Sequence, residues 1–357
     1  MKTEEIIGHP LYQLNLILWL LQPLKDNYPL RPILNELGYE LFAIGPTMSL
    51  SPELRDRIAS TSVQCDSESE PDLMLSKDGV KEFVIIECKK QLFGSESNTA
   101  KQARALLLQT GEQFNISIAL PVGANPDIHL IYVSKHSSSK LYTGNLCEIS
   151  EELKKIGFDV LPVGSIGIES KSNSIFLCDA YGEGKIPDQM RKGIGKKIKV
   201  QVFEEDEDPI PLFYIPWDPN VSQSDEISAY CEQVFRERIL SNLIIRIGKA
   251  TPPRTIEINY DELLNESTSS FYERWRSKNI GRTLRNCCRD LINNALKGAQ
   301  ENFDKEKLPQ PLRGVSLKIK SDEDKEAVID SITKLRVDKW LKEEDSQMNF
   351  PIIDDDI

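Results

Sequence analysis

Histidine is scarce in this chain, with three residues (His9, His129 and His136) in 357. That scarcity speaks against a zinc centre built on imidazoles. The seven cysteines are odd in number and form no Cys-x-x-Cys pair, so neither a secreted disulfide framework nor a zinc ribbon is indicated. They read as small apolar residues of a reduced, intracellular, cytoplasmic protein. Long apolar runs are missing too. The most apolar window, Leu11 to Leu24, is interrupted by Gln13 and Asn15, so no membrane span is expected. The opening MKTEEIIGHP does not read as a signal peptide. Basic residues are outnumbered by acidic ones, 44 to 56, for a net charge of −12. A uniformly basic nucleic-acid coat is thereby disfavoured, but a local basic groove is not. Glycine-rich phosphate loops are also lacking. Gly182-Glu183-Gly184-Lys185 and Gly193-Ile194-Gly195-Lys196 do not have the spacing of a P-loop.

What is present is enough apolar material, 39% of residues, for a sizeable core. The length suits two domains, or one large domain with an extension. A buried helix is expected over 11–21, stopped near Pro23, and a short one over 30–37 ending at Gly38. Tyr39 to Ile44 reads as a strand, and a short helix follows Ser51-Pro52. The runs 72–76 and 82–88 flank Lys77-Asp78-Gly79, which is hairpin chemistry. A helix over 98–111, a strand over 128–134, a helix near 146–156 and strands over 160–168 and 174–178 follow. Ser137-Ser138-Ser139 reads as a loop. This order of elements predicts an α/β fold with a mixed central sheet flanked by helices.

Residues 1–202 are expected to form that domain. An acidic, proline-rich linker over 203–222 would lead to a mainly helical C-terminal domain over 223–357, with helices near 225–247, 269–296 and 321–342.

One constellation carries chemistry. Pro71-Asp72 opens one strand of the expected hairpin and Glu87-Cys88-Lys89 closes the other. Side chains alternate along a strand, so Glu87 and Lys89 share a face and Cys88 takes the other. Asp72 and Glu87 can hold a hard cation such as Mg²⁺ or Mn²⁺ through carboxylate oxygens, and the main-chain carbonyl of Cys88 can add a third oxygen. Such a cation activates water and neutralises a phosphate. Lys89 can orient that water and balance charge in the transition state. Pro71-Asp72…Glu87-Cys88-Lys89 resembles the signature of the PD-(D/E)XK nuclease superfamily. The resemblance covers 39–134 and implies a restriction-endonuclease-like core, metal-dependent hydrolysis of phosphodiester bonds, and DNA in preference to RNA as substrate. It also brings in Gln102, on the helix after the lysine, as a further catalytic candidate. Of the acids on the first elements (Asp26, Glu36 and Glu40), none stands out as an additional ligand. A role in antiviral defence or restriction is implied on the same ground.

Two basic stretches are candidates for nucleic-acid contact. Lys192, Lys196 and Lys197 flank two glycines in what reads as a loop or hairpin. On the helix near 271–296, Lys278, Arg282, Arg285 and Arg289 fall on one side and Leu284, Cys288, Leu291 and Ala295 on the other. That basic side could meet nucleic acid, a second copy of the chain or a protein partner. The rival to a nuclease is a non-catalytic nucleic-acid-binding or assembly protein of the same fold.

Overall fold

The computed structural model describes residues 3–23, 31–90, 92–121, 123–179, 186–203, 226–275 and 278–343. The chain divides into two compact units. One is Met1–Asp218 with Glu273–Lys278, and the other is Pro219–Tyr272 with Asn279–Ile357. The division at 218/219 falls inside the expected linker, of which 204–222 lies outside the described residues.

The first unit is built on a seven-stranded mixed sheet. Its strands are β1 (Tyr39–Ile44), β2 (Leu73–Lys77), β3 (Glu82–Cys88), β4 (Asp127–Lys135), β5 (Val163–Ser170), β6 (Ser174–Asp179) and β7 (Lys197–Val202), and they lie side by side in chain order. The centre, β3-β4-β5, is parallel, and every other neighbouring pair is antiparallel. Parallel neighbours need crossover connections. These are supplied by α2 (Asn98–Leu107) followed by Gly111–Ile118, and by α3 (His136–Lys155), after α1 (Pro10–Leu20) earlier in the chain.

Alternation along β3 and β4 gives the sheet two apolar faces. Phe83, Ile85, Leu130 and Tyr132 share one core with Leu106 and Leu107 of α2 and Tyr142, Leu146 and Leu153 of α3. Val84, Ile86, Ile131 and Val133 occupy the alternate positions and are also buried. The helix α1 is buried on all sides and packs on β3 and β4, as its mostly apolar sequence demands, and it buries Gln13 and Asn15 as well. The β2–β3 hairpin turns through Asp78 and Gly79 at φ +50° and +74°, which Gly79 adopts without strain.

Several expectations need correction. The helix expected over 98–111 stops at Leu107, and a second begins at Gly111. Ser137-Ser138-Ser139 is no loop. These serines form the first turn of α3, where Ser139 is buried and donates to the carbonyl of His136 at 2.9 Å. The basic loop or hairpin near 185–199 is a helix, Asp188–Ile194, followed by β7. Met190 and Ile194, one helical turn apart, give that helix its core side, and Gly195 at φ +59° ends it.

In the second unit the three expected helices are present as α4 (Glu226–Gly248), α6 (Lys278–Ala295), which begins nine residues later than expected, and α7 (Asp322–Glu343), with α5 (Tyr260–Ser267) between the first two. They are joined by an unforeseen antiparallel sheet of β8 (Arg254–Asn259), β9 (Phe303–Lys307) and β10 (Gly314–Ile319), in the order β8-β10-β9. Charged residues dominate β9 and hide it from a search for apolar alternation. No helix among the described residues is long and apolar enough to cross a membrane.

Candidate active site

The carboxyl end of β3 brings four of the expected residues together. The antiparallel register that pairs Leu73 with Ile86 sets Asp72 opposite Glu87. Asp72 is tied at both ends. Its main-chain oxygen accepts from Gly45 N at 3.1 Å, and its Oδ2 accepts from Cys88 N at 2.6 Å. Lys89 N donates to Val133 O at 2.9 Å, which fixes the end of β3 to β4.

Glu87 extends the row of Phe83 and Ile85 on the face that α2 covers, and only 1% of it is exposed. Lys89 Nζ lies 2.7 Å from Glu87 Oε2. Gln102 comes down from α2. Its Nε2 donates to Glu87 Oε1 at 3.0 Å and to the carbonyl of Glu70 at 3.4 Å, and its Oε1 accepts from Lys89 Nζ at 3.4 Å. Both Glu87 oxygens are therefore held by side chains that themselves touch one another.

Burial raises the Glu87 pKa, and the charge and hydrogen bond of Lys89 only partly offset the rise. For Lys89 burial acts in the lowering direction, but the charges of Glu87 and Asp72 outweigh it and the pKa is raised. Lys89 is thus a firm ammonium at neutral pH, suited to donate and to carry charge and unsuited to act as a base. The Cys88 thiol is pushed well above its ordinary value, chiefly by burial, so it stays protonated.

Two residues of this neighbourhood went unnoticed in the sequence. Tyr132 pairs with Glu87 in the parallel β3–β4 register, is fully buried, and its hydroxyl has no hydrogen-bond partner among the described residues. Burial and then the charges of Glu87 and Asp72 raise its pKa. Its ring lies 6.1 Å from that of Phe93 and 6.4 Å from that of Tyr142. Gln13 of α1 donates to the carbonyls of Ile7 and Lys89 at 3.1 and 3.4 Å. Within the sequence Tyr132 is one apolar strand residue among several, and Gln13 a polar interruption of a buried helix. Only the strand register and helix packing give either a place near the site. Of the early acids, Glu36 pairs with Arg31 at 2.7 Å and Glu40 is exposed opposite Ser76, at the far end of β1 from Asp72. Asp26 lies outside the described residues.

The donor set fits a hard divalent cation. Two carboxylates face each other across one strand pair, and one ammonium leaves the group a net negative charge. A carboxylate that burial destabilises gains from a cation. Cys88 qualifies only through its main-chain oxygen, because its side chain is a buried, protonated thiol and its N–H is spent on Asp72. Comparison of the chain with protein-family models, with curated proteins and with solved structures finds no match.

A second cluster, His136, Glu169 and Cys178, has ligand atoms within 4.8 Å of one another. Lys197 Nζ sits 2.7 Å from Glu169 Oε2 and lies over the Phe176 ring at 4.2 Å, so a cation of the protein already meets that carboxylate. Burial first, and Glu169 second, raise the Cys178 pKa to about 12. Among the basic candidates, Lys197 is therefore occupied, whereas Lys192 and Lys196 are exposed. On α6, Arg285 is half-buried and bound to Asp261 (3.3 Å) and Tyr272 (2.8 Å), Arg289 pairs with Asp290 (2.9 Å), and Arg282 is exposed. The apolar side expected for this helix is buried through Leu284, Cys288, Leu291 and Ala295. The side chain of Lys278 lies outside the described residues.

Proposed function

We propose that the chain is a metal-dependent nuclease of PD-(D/E)XK type, hydrolysing phosphodiester bonds, with DNA as the favoured substrate. The observation that carries this reading is the convergence of Asp72, Glu87 and Lys89 at the end of adjacent strands, with Gln102 of α2 beside them; Glu87, Lys89 and Gln102 are linked by contacts of 2.7 to 3.4 Å, and Asp72 is joined to the next strand through Cys88 N at 2.6 Å. Beside the buried Glu87–Lys89 pair stands a second carboxylate, Asp72. Burying charges costs several kcal/mol per ion, about what a purely structural pair struggles to repay.

Asp72, Glu87 and the main-chain oxygen of Cys88 would hold Mg²⁺ or Mn²⁺. Such a cation supplies a water of lowered pKa and neutralises the scissile phosphate. Lys89, kept protonated by the two carboxylates, donates to the attacking water or to a phosphate oxygen and offsets the negative charge that grows in the transition state. Gln102 holds Glu87 and Lys89 in one arrangement and touches no reacting atom, so it is a positioning residue.

The rival is a non-catalytic binder in which Glu87, Lys89 and Gln102 form a closed structural cluster. It is favoured by one observation, that both Glu87 oxygens already have partners. A supercoiled-plasmid assay with Mg²⁺ and with Mn²⁺, beside Lys89→Ala, separates the two. Nicking or linearisation that disappears in the variant supports the nuclease. Identical inactivity of both proteins, while they still bind DNA, supports the rival. A place in antiviral defence or restriction follows from the family resemblance alone.

A further inference from the structure

The second unit contains a cavity of about 690 Å³ between α6 and the β9–β10 edge of its sheet. Six basic side chains line it, Arg282, Arg285 and Arg289 from the helix and Lys305, Lys307 and Arg313 from the strands and their connection, against the single acid Glu306. This concentration runs against the composition of a chain whose net charge is −12.

The strand register sets two of these cations on the cavity side of the sheet. β9 is an edge strand, and Lys305 and Lys307 pair with Leu317 and Val315 of β10. Leu317 and Val315 are buried, and the two lysines share their face of the sheet, with their own side chains exposed where they line the cavity. Across the cavity they meet the arginines of α6. Arg285 and Arg289 have carboxylate partners, and Lys305 Nζ rests on the neutral Asn293 Oδ1 at 2.5 Å. Arg282, Lys307 and Arg313 have no carboxylate within ion-pair distance among the described residues. Like charges gathered around one concavity repel, and a multiply charged anion between them reverses the sign of that energy.

The lining selects among anions. The cavity is half open to solvent, so a flexible strand can lie along it. A single strand exposes bases beside its phosphates, which a duplex keeps paired and stacked, and can use both kinds of surface in the cavity. Its wall also offers Leu308, Leu312 and Val315, apolar surface for a sugar or base beside the phosphates. We infer that this cavity binds a single-stranded segment of nucleic acid through consecutive phosphates. The choice of nucleic acid over another polyanion rests on the nuclease reading, and the cavity itself does not.

The test is fluorescence anisotropy of a labelled single-stranded DNA oligonucleotide. It is done in EDTA on full-length Lys89→Ala protein, so that binding is read without cleavage and a failure of the nuclease reading shows separately. Arg282→Glu/Lys307→Glu/Arg313→Glu is expected to weaken binding at least tenfold. The neutral variant Arg282→Gln/Lys307→Gln/Arg313→Gln is gentler on folding. Its log–log salt slope is expected to be shallower by about 2, because each phosphate of a single strand that a cation neutralises adds about 0.7 to the slope. Unchanged affinity in a folded neutral variant overturns the inference. So does a duplex bound as tightly as the strand, or a mononucleotide that binds in the cavity while the oligonucleotide does not.

Discussion

The main-chain N–H of Cys88 donates to Asp72 Oδ2 over 2.6 Å, locking the end of one hairpin strand to the start of the other. Asp72 is therefore at once a candidate metal ligand and a clamp on β3. The two roles separate under substitution. Asp72→Asn keeps an oxygen able to accept from Cys88 and is expected to keep the fold while losing cleavage. Asp72→Ala orphans the Cys88 N–H as well, at a cost of about 1–3 kcal/mol. Thermal unfolding beside a nicking assay checks both. An Asp72→Asn protein that cleaves as well as wild type would remove Asp72 from the site.

Glu87 calls for similar care. It is 1% exposed, and it neutralises a largely buried Lys89. Truncation to alanine leaves that ammonium without its closest counter-charge, a loss of about 3–5 kcal/mol for a broken buried pair. Glu87→Gln is the cleaner variant, and no cleavage with a smaller loss of stability is expected. Equal stability of the alanine and wild-type proteins would contradict the ion pair.

The pH dependence of metal binding follows from the direction in which Glu87 is shifted. A carboxyl raised above 4.5 by burial takes up its proton at a higher pH than an exposed one. Only the ionised form binds a cation, so Mn²⁺ affinity is lost as pH falls through the raised value and is fully present above it. Binding near that value releases a proton. Lys89→Met removes the lowering influence of the ammonium and should move the loss of affinity to still higher pH. Titration calorimetry in buffers of different ionisation enthalpy reads the proton release directly. A Mn²⁺ affinity unaffected by pH down to 4.5 would exclude Glu87 as a ligand.

Much of the first unit was legible because its signals are local. Tyr39–Ile44 and Glu82–Cys88 have the bounds that their β-rich runs suggest, and Asp78-Gly79 marks the hairpin that leads into the second of them. The Glu87–Lys89 contact follows from period-two alternation alone. Tyr132 and Gln13 were not legible, because strand register and helix packing join residues far apart in sequence. The second unit's sheet was missed for another reason. Past Phe303 every residue of Phe303–Lys307 is charged and exposed, so no apolar–polar alternation announces the strand there. Arg104 was likewise hidden in a helix pattern. It is buried and bonded to Glu152 at 2.9 and 3.0 Å and to Gln64 O at 3.1 Å, joining α2 to α3.

Lys89 separates charge from geometry. Its raised pKa makes it a donor throughout the neutral range, so Lys89→Ala should remove most turnover while substrate still binds. Lys89→Arg keeps the charge but replaces a compact ammonium, which meets Glu87 Oε2 and Gln102 Oε1 through one atom, with a larger planar fork of different donor directions. Poor rescue is expected, and an arginine variant that cleaves like wild type would show that charge alone suffices.

Gln102 touches three groups of the site, and its substitution tests positioning apart from chemistry. Gln102→Leu is close in size but deprives Glu87 Oε1 of its donor and Lys89 of an acceptor. With one donor gone, the buried Glu87 carboxylate is less stabilised, so its already raised pKa should rise further. The acid limb of the cleavage profile should then move to higher pH, with kcat reduced and KM little changed. Gln102→Glu restores an acceptor for Lys89 but sets a second carboxylate against Glu87, and should shift the limb further still. A merely structural glutamine would lower stability and leave the pH profile where it was. A profile identical to wild type in a folded Gln102→Leu protein would take Gln102 out of the site and leave Asp72, Glu87 and Lys89 to act without it.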